Sequence, residues 1–141
     1  MEPLPCDDVG SRRLSPTSMR IARPVQAIGT SLEFYVEILG LEHLGGFHDH
    51  EGYDGAFVGV TGADWHVELT SHSTGSPQPS PTDEDLLVLY LSQGDVAAAA
   101  ARLAAAGSPP LRHANPYWAS VGAVVVRDPD RYLLVLCPND G

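Results

Sequence analysis

The sequence predicts an α+β fold built from two tandem βαβββ modules, and three observations carry that reading. Each half holds strand-like runs around one helix with apolar residues at helical spacing, the order of elements repeats, and a single offset superposes the halves. The glycines that close the two helices are Gly40 and Gly107, an offset of 67 residues. The same offset carries Glu68 to Val135, mid-way along the last strand, and Arg20 to Leu87 in the first strand of the second half.

Taken in order, residues 19–25 form a short strand, and Pro24, which has no N–H to donate, puts it at a sheet edge. Thr30 and Glu33 make a capping box, Leu32, Tyr35, Val36 and Leu39 follow at helical spacing, and Gly40 closes the helix. Strands over 41–47, 53–60 and 65–72 are separated by turns at 48–52 and 61–64. Residues 73–82 (STGSPQPSPT) read as a linker with no reason to fold. The second half starts with a strand over 85–91, and Asp95 then caps an alanine-rich helix that ends at Gly107. Strands over 111–114, 117–127 and 132–137 follow, the last two joined by a turn at 128–131. The resulting division is a disordered tail over 1–18 and one domain over 19–141, with modules at 19–72 and 83–141 flanking the linker.

Composition excludes several classes of function. A chain of 141 residues, 43% hydrophobic, is long enough for one domain with a core. Its formal charge of -10 argues against nucleic-acid and anionic-membrane partners, which need a positive footprint. Residues 1–18 lack the apolar stretch of a signal peptide or membrane span. Cys6 and Cys137 form neither a disulfide framework nor a CxxC site, so a reducing cytoplasm is the expected compartment. No nucleophile elbow and no glycine-rich phosphate loop is present.

The strand over 65–72 concentrates the chemistry. Alternation places His66, Glu68, Thr70 and His72 on one face and Trp65, Val67 and Leu69 on the other, polar against core. His66 and Glu68 offer an imidazole and a carboxylate that the His48-Asp49-His50 turn could complete into an unconventional divalent-metal site, although surface histidines are the plainer reading. His43 and His113 have no catalytic partner in the pattern. The aromatics Phe47, Tyr53, Phe57, Tyr90, Tyr117 and Trp118 each read first as core, and as a group near the mouth of a cavity they suit the walls for a flat ligand.

The helix residues 31–41 (SLEFYVEILGL), the Val67-Glu68-Leu69 strand and the Asp128-Pro129-Asp130 turn resemble the vicinal oxygen chelate superfamily, which contains glyoxalases, bleomycin-resistance proteins and extradiol dioxygenases. The likeness runs from about residue 19 to 138, and Asn115-Pro116-Tyr117-Trp118 is similar to a subgroup of small bacterial members. It implies that the modules curl into a cup-like mixed sheet whose metal enzymes carry ligands on the first and last strand of each module. Those places fall here on Arg20, Glu68, Leu87 and Val135, of which Glu68 alone is a metal donor. The expectation is therefore a binding protein with no cofactor, holding a small hydrophobic or aromatic molecule in a metal-free cup. Its ligand-binding residues would be Arg20, Tyr53, Phe57, His66, Glu68, Tyr117 and Trp118, with Arg20 and Glu68 forming an ion pair where the family would hold a metal. Two alternatives stay open: a metal-dependent lyase, isomerase or dioxygenase using His66, Glu68, His48 and His50, or a metal-independent enzyme with Glu68 as general base. Unpaired sheet edges imply a homodimer.

Overall fold

The computed structural model describes residues 12–139, and of the tail expected at 1–18 the part over 1–11, including Cys6, lies outside them. Residues 12–18 are exposed and lead into β1 (Met19–Pro24). The first module continues with α1 (Ile28–Leu32), β2 (Glu42–His50), β3 (Tyr53–Gly59) and β4 (Trp65–His72). The second comprises β5 (Leu86–Leu91), α2 (Gln93–Ala105), a helical turn α3 (Tyr117–Ser120), β6 (Val124–Arg127) and β7 (Leu133–Pro138). Each module makes its own mixed sheet, in the orders β1-β4-β3-β2 and β5-β7-β6, with a parallel pair at β1·β4 and at β5·β7. Among the described residues no helix is long and apolar enough to cross a membrane.

The first helix begins earlier than its capping box suggests. Ala27 is the N-cap and its carbonyl accepts from Ser31 N–H at 3.1 Å, so Thr30 lies inside the helix. Beyond Leu32 the chain winds as a π-helix over Glu33–Ile38, closed by Leu39 N–H to Phe34 O at 2.9 Å. The wider winding turns successive side chains through a smaller angle, which lets the adjacent Phe34 and Tyr35 both be buried. Gly40 then takes φ +103, the left-handed conformation of a helix end. In α2 the N-cap is Ser92, whose hydroxyl accepts from Asp95 N–H at 3.1 Å, so Asp95 supplies charge to the first turn rather than the cap.

One expected strand of the second module is lost and another is shortened. The segment 111–114 contributes a single bridge between Leu111 and Val125. The run 117–127 is a strand only from Val124, because Asn115 Oδ1 accepts Tyr117 N–H at 3.0 Å and Pro116 sits at φ -68, ψ -10, starting a helical turn. The offset of 67 also slips by one residue in the first strand. Arg20 pairs with His66, and Leu86, not Leu87, pairs with the equivalent Leu133. A one-residue shift reverses the faces, so Leu87 packs into the core shared by the modules while Leu86 takes the place of Arg20 on the opposite face.

The modules meet through their helix-bearing faces. One apolar cluster joins Phe34, Tyr35, Val67 and Leu69 of the first module to Val96, Leu103, Leu134 and Leu136 of the second. Burying each such side chain contributes about 1.5–3 kcal/mol. Arg102 reaches across to donate from Nε to Ile38 O and from Nη2 to Leu39 O, both at 2.9 Å, satisfying carbonyls left open at the first helix end.

Asp128, 6% exposed, is the polar centre of this contact. Tyr35 Oη donates to its Oδ2 at 2.7 Å, and the N–H groups of Asp130 and Tyr132 donate to Oδ1 at 2.9 Å each. The Arg23 guanidinium lies 3.7 Å from Oδ2 and over the Tyr132 ring at 4.2 Å, while Gln26 N–H donates to Asp130 at 3.2 Å. Burial raises the Asp128 carboxyl above the ordinary Asp range, outweighing the downward pull of these hydrogen bonds and of Arg23. The Tyr35 phenol is also pushed up, by burial and then by the neighbouring Asp128 charge, and stays a donor.

Asp128→Ala is expected to cost roughly 3 kcal/mol or more in urea denaturation, because it leaves Arg23, Tyr35 and two N–H groups unpartnered in a buried site. The raised carboxyl binds its proton more tightly folded than unfolded. Its stabilising contribution is therefore complete below the ordinary Asp value and is lost as pH rises through the raised one. Asp128→Asn should abolish that component of the pH dependence of stability.

Candidate functional site

The faces turned away from the shared core differ between the modules. In the second sheet Leu133, Val135 and Cys137 form an apolar cluster covered by Leu111, Trp118 and Val121, so the chain fills this face itself. Tyr117 is exposed at the edge of that cover, with its ring 5.1 Å from Trp118. His113 pins the covering segment: its Nδ1 accepts from Asn115 N–H at 2.9 Å while its Nε2 bonds the Asp83 carbonyl. Trp118 Nε1 is buried without a hydrogen-bond partner.

Among the described residues the corresponding face of the first sheet carries no such cover, and here Arg20, Phe57, His66 and Glu68 come together. Parallel pairing sets Arg20 beside His66, and antiparallel pairing sets Phe57 beside Glu68. Arg20 Nε donates to His66 Nε2 at 2.9 Å, so His66 presents a lone pair there and keeps its ring proton on Nδ1. The guanidinium lies 4.7 Å from the centre of the Phe57 ring, and His66 meets the same ring edge-on at 5.4 Å. Arg20 Nη1 stands 3.8 Å from Glu68 Oε2, an ion-pair distance too long for a hydrogen bond. The Glu68 side chain is only 13% exposed, and among the described residues nothing donates a hydrogen bond to it, whereas Arg20 is 50% exposed.

Glycines that the sequence reading passed over shape this face. Gly55 stands on the same side of β3 as Phe57 and opposite Phe47, and a Cβ there would lie 2.3 Å from the Phe47 ring. Phe47 therefore lies across the strand, its centroid 6.1 Å from Phe57. The period-two pattern Tyr53-x-Gly55-x-Phe57-x-Gly59 was the available signal.

The remaining candidates lie elsewhere. Tyr53 is half exposed and packs on His72 at 4.4 Å, four strand residues from Phe57 and so about 13 Å along the sheet. His72 Nδ1 accepts Thr74 N–H at 3.1 Å and serves the turn after β4. His48 Nδ1 is 2.8 Å from Asp54 Oδ1, and His50 stacks edge-on with Phe47, both in the hairpin where Asp49 and Glu51 take positive φ. His48 also lines a groove of about 530 Å³ beside Ile28 and Leu32. The set His66, Glu68, His48 and His50 is thus divided between two parts of the sheet, and among the described residues no three His, Cys, Asp or Glu converge to hold a metal.

This architecture has relatives. The profile of the YycE-like N-terminal domain matches residues 19–70, and that of the YycE-like C-terminal domain matches residues 84–138. The chain belongs to the YycE-like family, within the vicinal oxygen chelate superfamily. The Bacillus subtilis protein YycE is 37% identical over 124 residues, spanning 87% of this chain and 88% of the relative. The crystal structure of a Bacillus subtilis YycE protein of unknown function superposes with a TM-score of 0.81 at 36% identity, covering 89% of this chain and 92% of the other. A glyoxalase/bleomycin resistance protein from Streptomyces sp. CB03234 gives a TM-score of 0.62 at 25% identity, covering 85% and 98%.

The four family ligand places do not fit a divalent ion in this chain. Arg20 brings a positive charge, Leu86 and Val135 bring hydrocarbon, and the His66 lone pair is already taken by Arg20. Elemental mass spectrometry after dialysis against Fe, Mn, Ni and Zn is expected to find far less than one ion per chain. Near-stoichiometric retention would make His66 and Glu68 metal ligands.

Proposed function

We propose that the chain binds a small hydrophobic or aromatic molecule on the uncovered face of its first sheet, without a metal, and that it does so as a homodimer in the cytoplasm. The observation that carries the reading is Glu68, whose side chain is 13% exposed, accepts no hydrogen bond among the described residues and stands 3.8 Å from Arg20. A ligand that covers this carboxylate must supply a hydrogen-bond donor in place of water, which selects a polar group beside the apolar walls. Phe57 and Phe47 supply apolar walls beside it, and Arg20 is held ready by Phe57 and His66. The name of the Streptomyces relative, a glyoxalase/bleomycin resistance protein, is in keeping with binding of a small molecule.

The enzyme reading keeps one supporting feature, since a sheltered carboxylate beside an aromatic wall also suits proton abstraction. The homodimer reading rests on an open sheet face and on β1 and β2, which stand as edge strands of the first sheet. The cytoplasmic reading rests on Cys137, a buried free thiol.

Titration with flat aromatic compounds, followed by tryptophan fluorescence, should show saturable binding that Phe57→Ala and Glu68→Gln each weaken by roughly tenfold. Unchanged affinity in both variants would remove this face as the site, and turnover lost in Glu68→Gln with binding retained would favour an enzyme. Light scattering at micromolar concentration should return twice the mass of one chain, and a monomer would refute the dimer.

A further inference from the structure

The polar pair on the first sheet's face narrows the chemistry of its ligand, given the reading that this face binds a small molecule. Arg20 and Glu68 stand 3.8 Å apart, too far to hydrogen-bond each other and close enough for one ligand edge to reach both. Arg20 spends its Nε–H on His66, which leaves the Nη hydrogens as donors on a half-exposed guanidinium. Glu68 has acceptor oxygens and, among the described residues, no donor. The site thus lacks one acceptor, for Arg20, and one donor, for Glu68, side by side.

Charge selects further. The two side chains cancel each other locally, so neither a carboxylate nor an ammonium improves the pair without opposing one member of it. The net charge of -10 adds a general disadvantage for anions, and the exposed guanidinium repels a cation at the same place. Beside the pair Phe57 and Phe47, whose ring lies over Gly55, present an aromatic surface, which suits a flat ring.

We propose that the ligand is an uncharged planar ring system of the lactam, cyclic imide or aromatic carboxamide class, whose carbonyl accepts from Arg20 and whose adjacent N–H donates to Glu68. Arg20 and Glu68 read the donor–acceptor edge, and the phenylalanines hold the ring.

The test is calorimetric titration of the full chain with phenanthridinone, its N-methyl derivative and naphthoate. Phenanthridinone should bind roughly tenfold or more tightly than the N-methyl compound, which keeps the ring and carbonyl but has no donor. Glu68→Leu should erase that difference, and the wild-type comparison stands whether or not the variant folds. Equal binding of the lactam and its N-methyl derivative, or tighter binding of naphthoate, would overturn the ligand class while leaving the face as a binding site. No binding by any of the three would overturn the ligand class and the binding reading together.

Discussion

The carboxylate of Asp128 fixes how the two modules sit, and the character of both outer faces depends on that arrangement. It gathers Tyr35 from the first helix, Arg23 from β1 and two N–H groups of its own turn into one buried knot. A charge in that position is costly unless every partner stays in place, so the knot tolerates little sliding between the modules. Arg102, anchored on the carbonyls of Ile38 and Leu39, holds the other helix in the same register. With the helix-bearing faces locked together, the remaining face of each sheet turns outward.

What each outer face becomes follows from the chain that crosses it. The second module spends residues 111–123 covering its own sheet, where Trp118 and Leu111 rest on Leu133, Val135 and Cys137. Among the described residues the first module has no comparable segment, only a tight hairpin between β2 and β3, so Arg20, Phe57, His66 and Glu68 lack such a cover. Two halves that share a leading strand, a helix and a closing antiparallel pair are therefore unlike in chemistry: one is a closed apolar layer and the other a surface with aromatic walls and a loosely paired carboxylate.

The helix signature, the alternation in β4 and the Asp128-Pro129-Asp130 turn were legible in the sequence, and with them the superfamily. Glu68 could be singled out because period-two alternation makes facing a local property. Its partners could not be chosen in the same way. Arg20 is 48 residues away and meets Glu68 through parallel pairing of β1 with β4, while His48 and His50, much closer in sequence, end up near the other end of the sheet. Tyr117 and Trp118 looked like further walls, yet a helical turn started by Asn115 and Pro116 carries them onto the second module.

From residue type and short-range spacing alone come the two main helices, the apolar faces of the strands and the non-ligating side chains of Arg20 and Val135. Tertiary structure decided the register of β1 against β4, the one-residue slip that exchanges Leu87 for Leu86, and which module keeps an open face. The physical reason is that strand pairing and module docking are set by contacts between residues far apart in the chain. The hydrophobic pattern of either partner alone does not specify them.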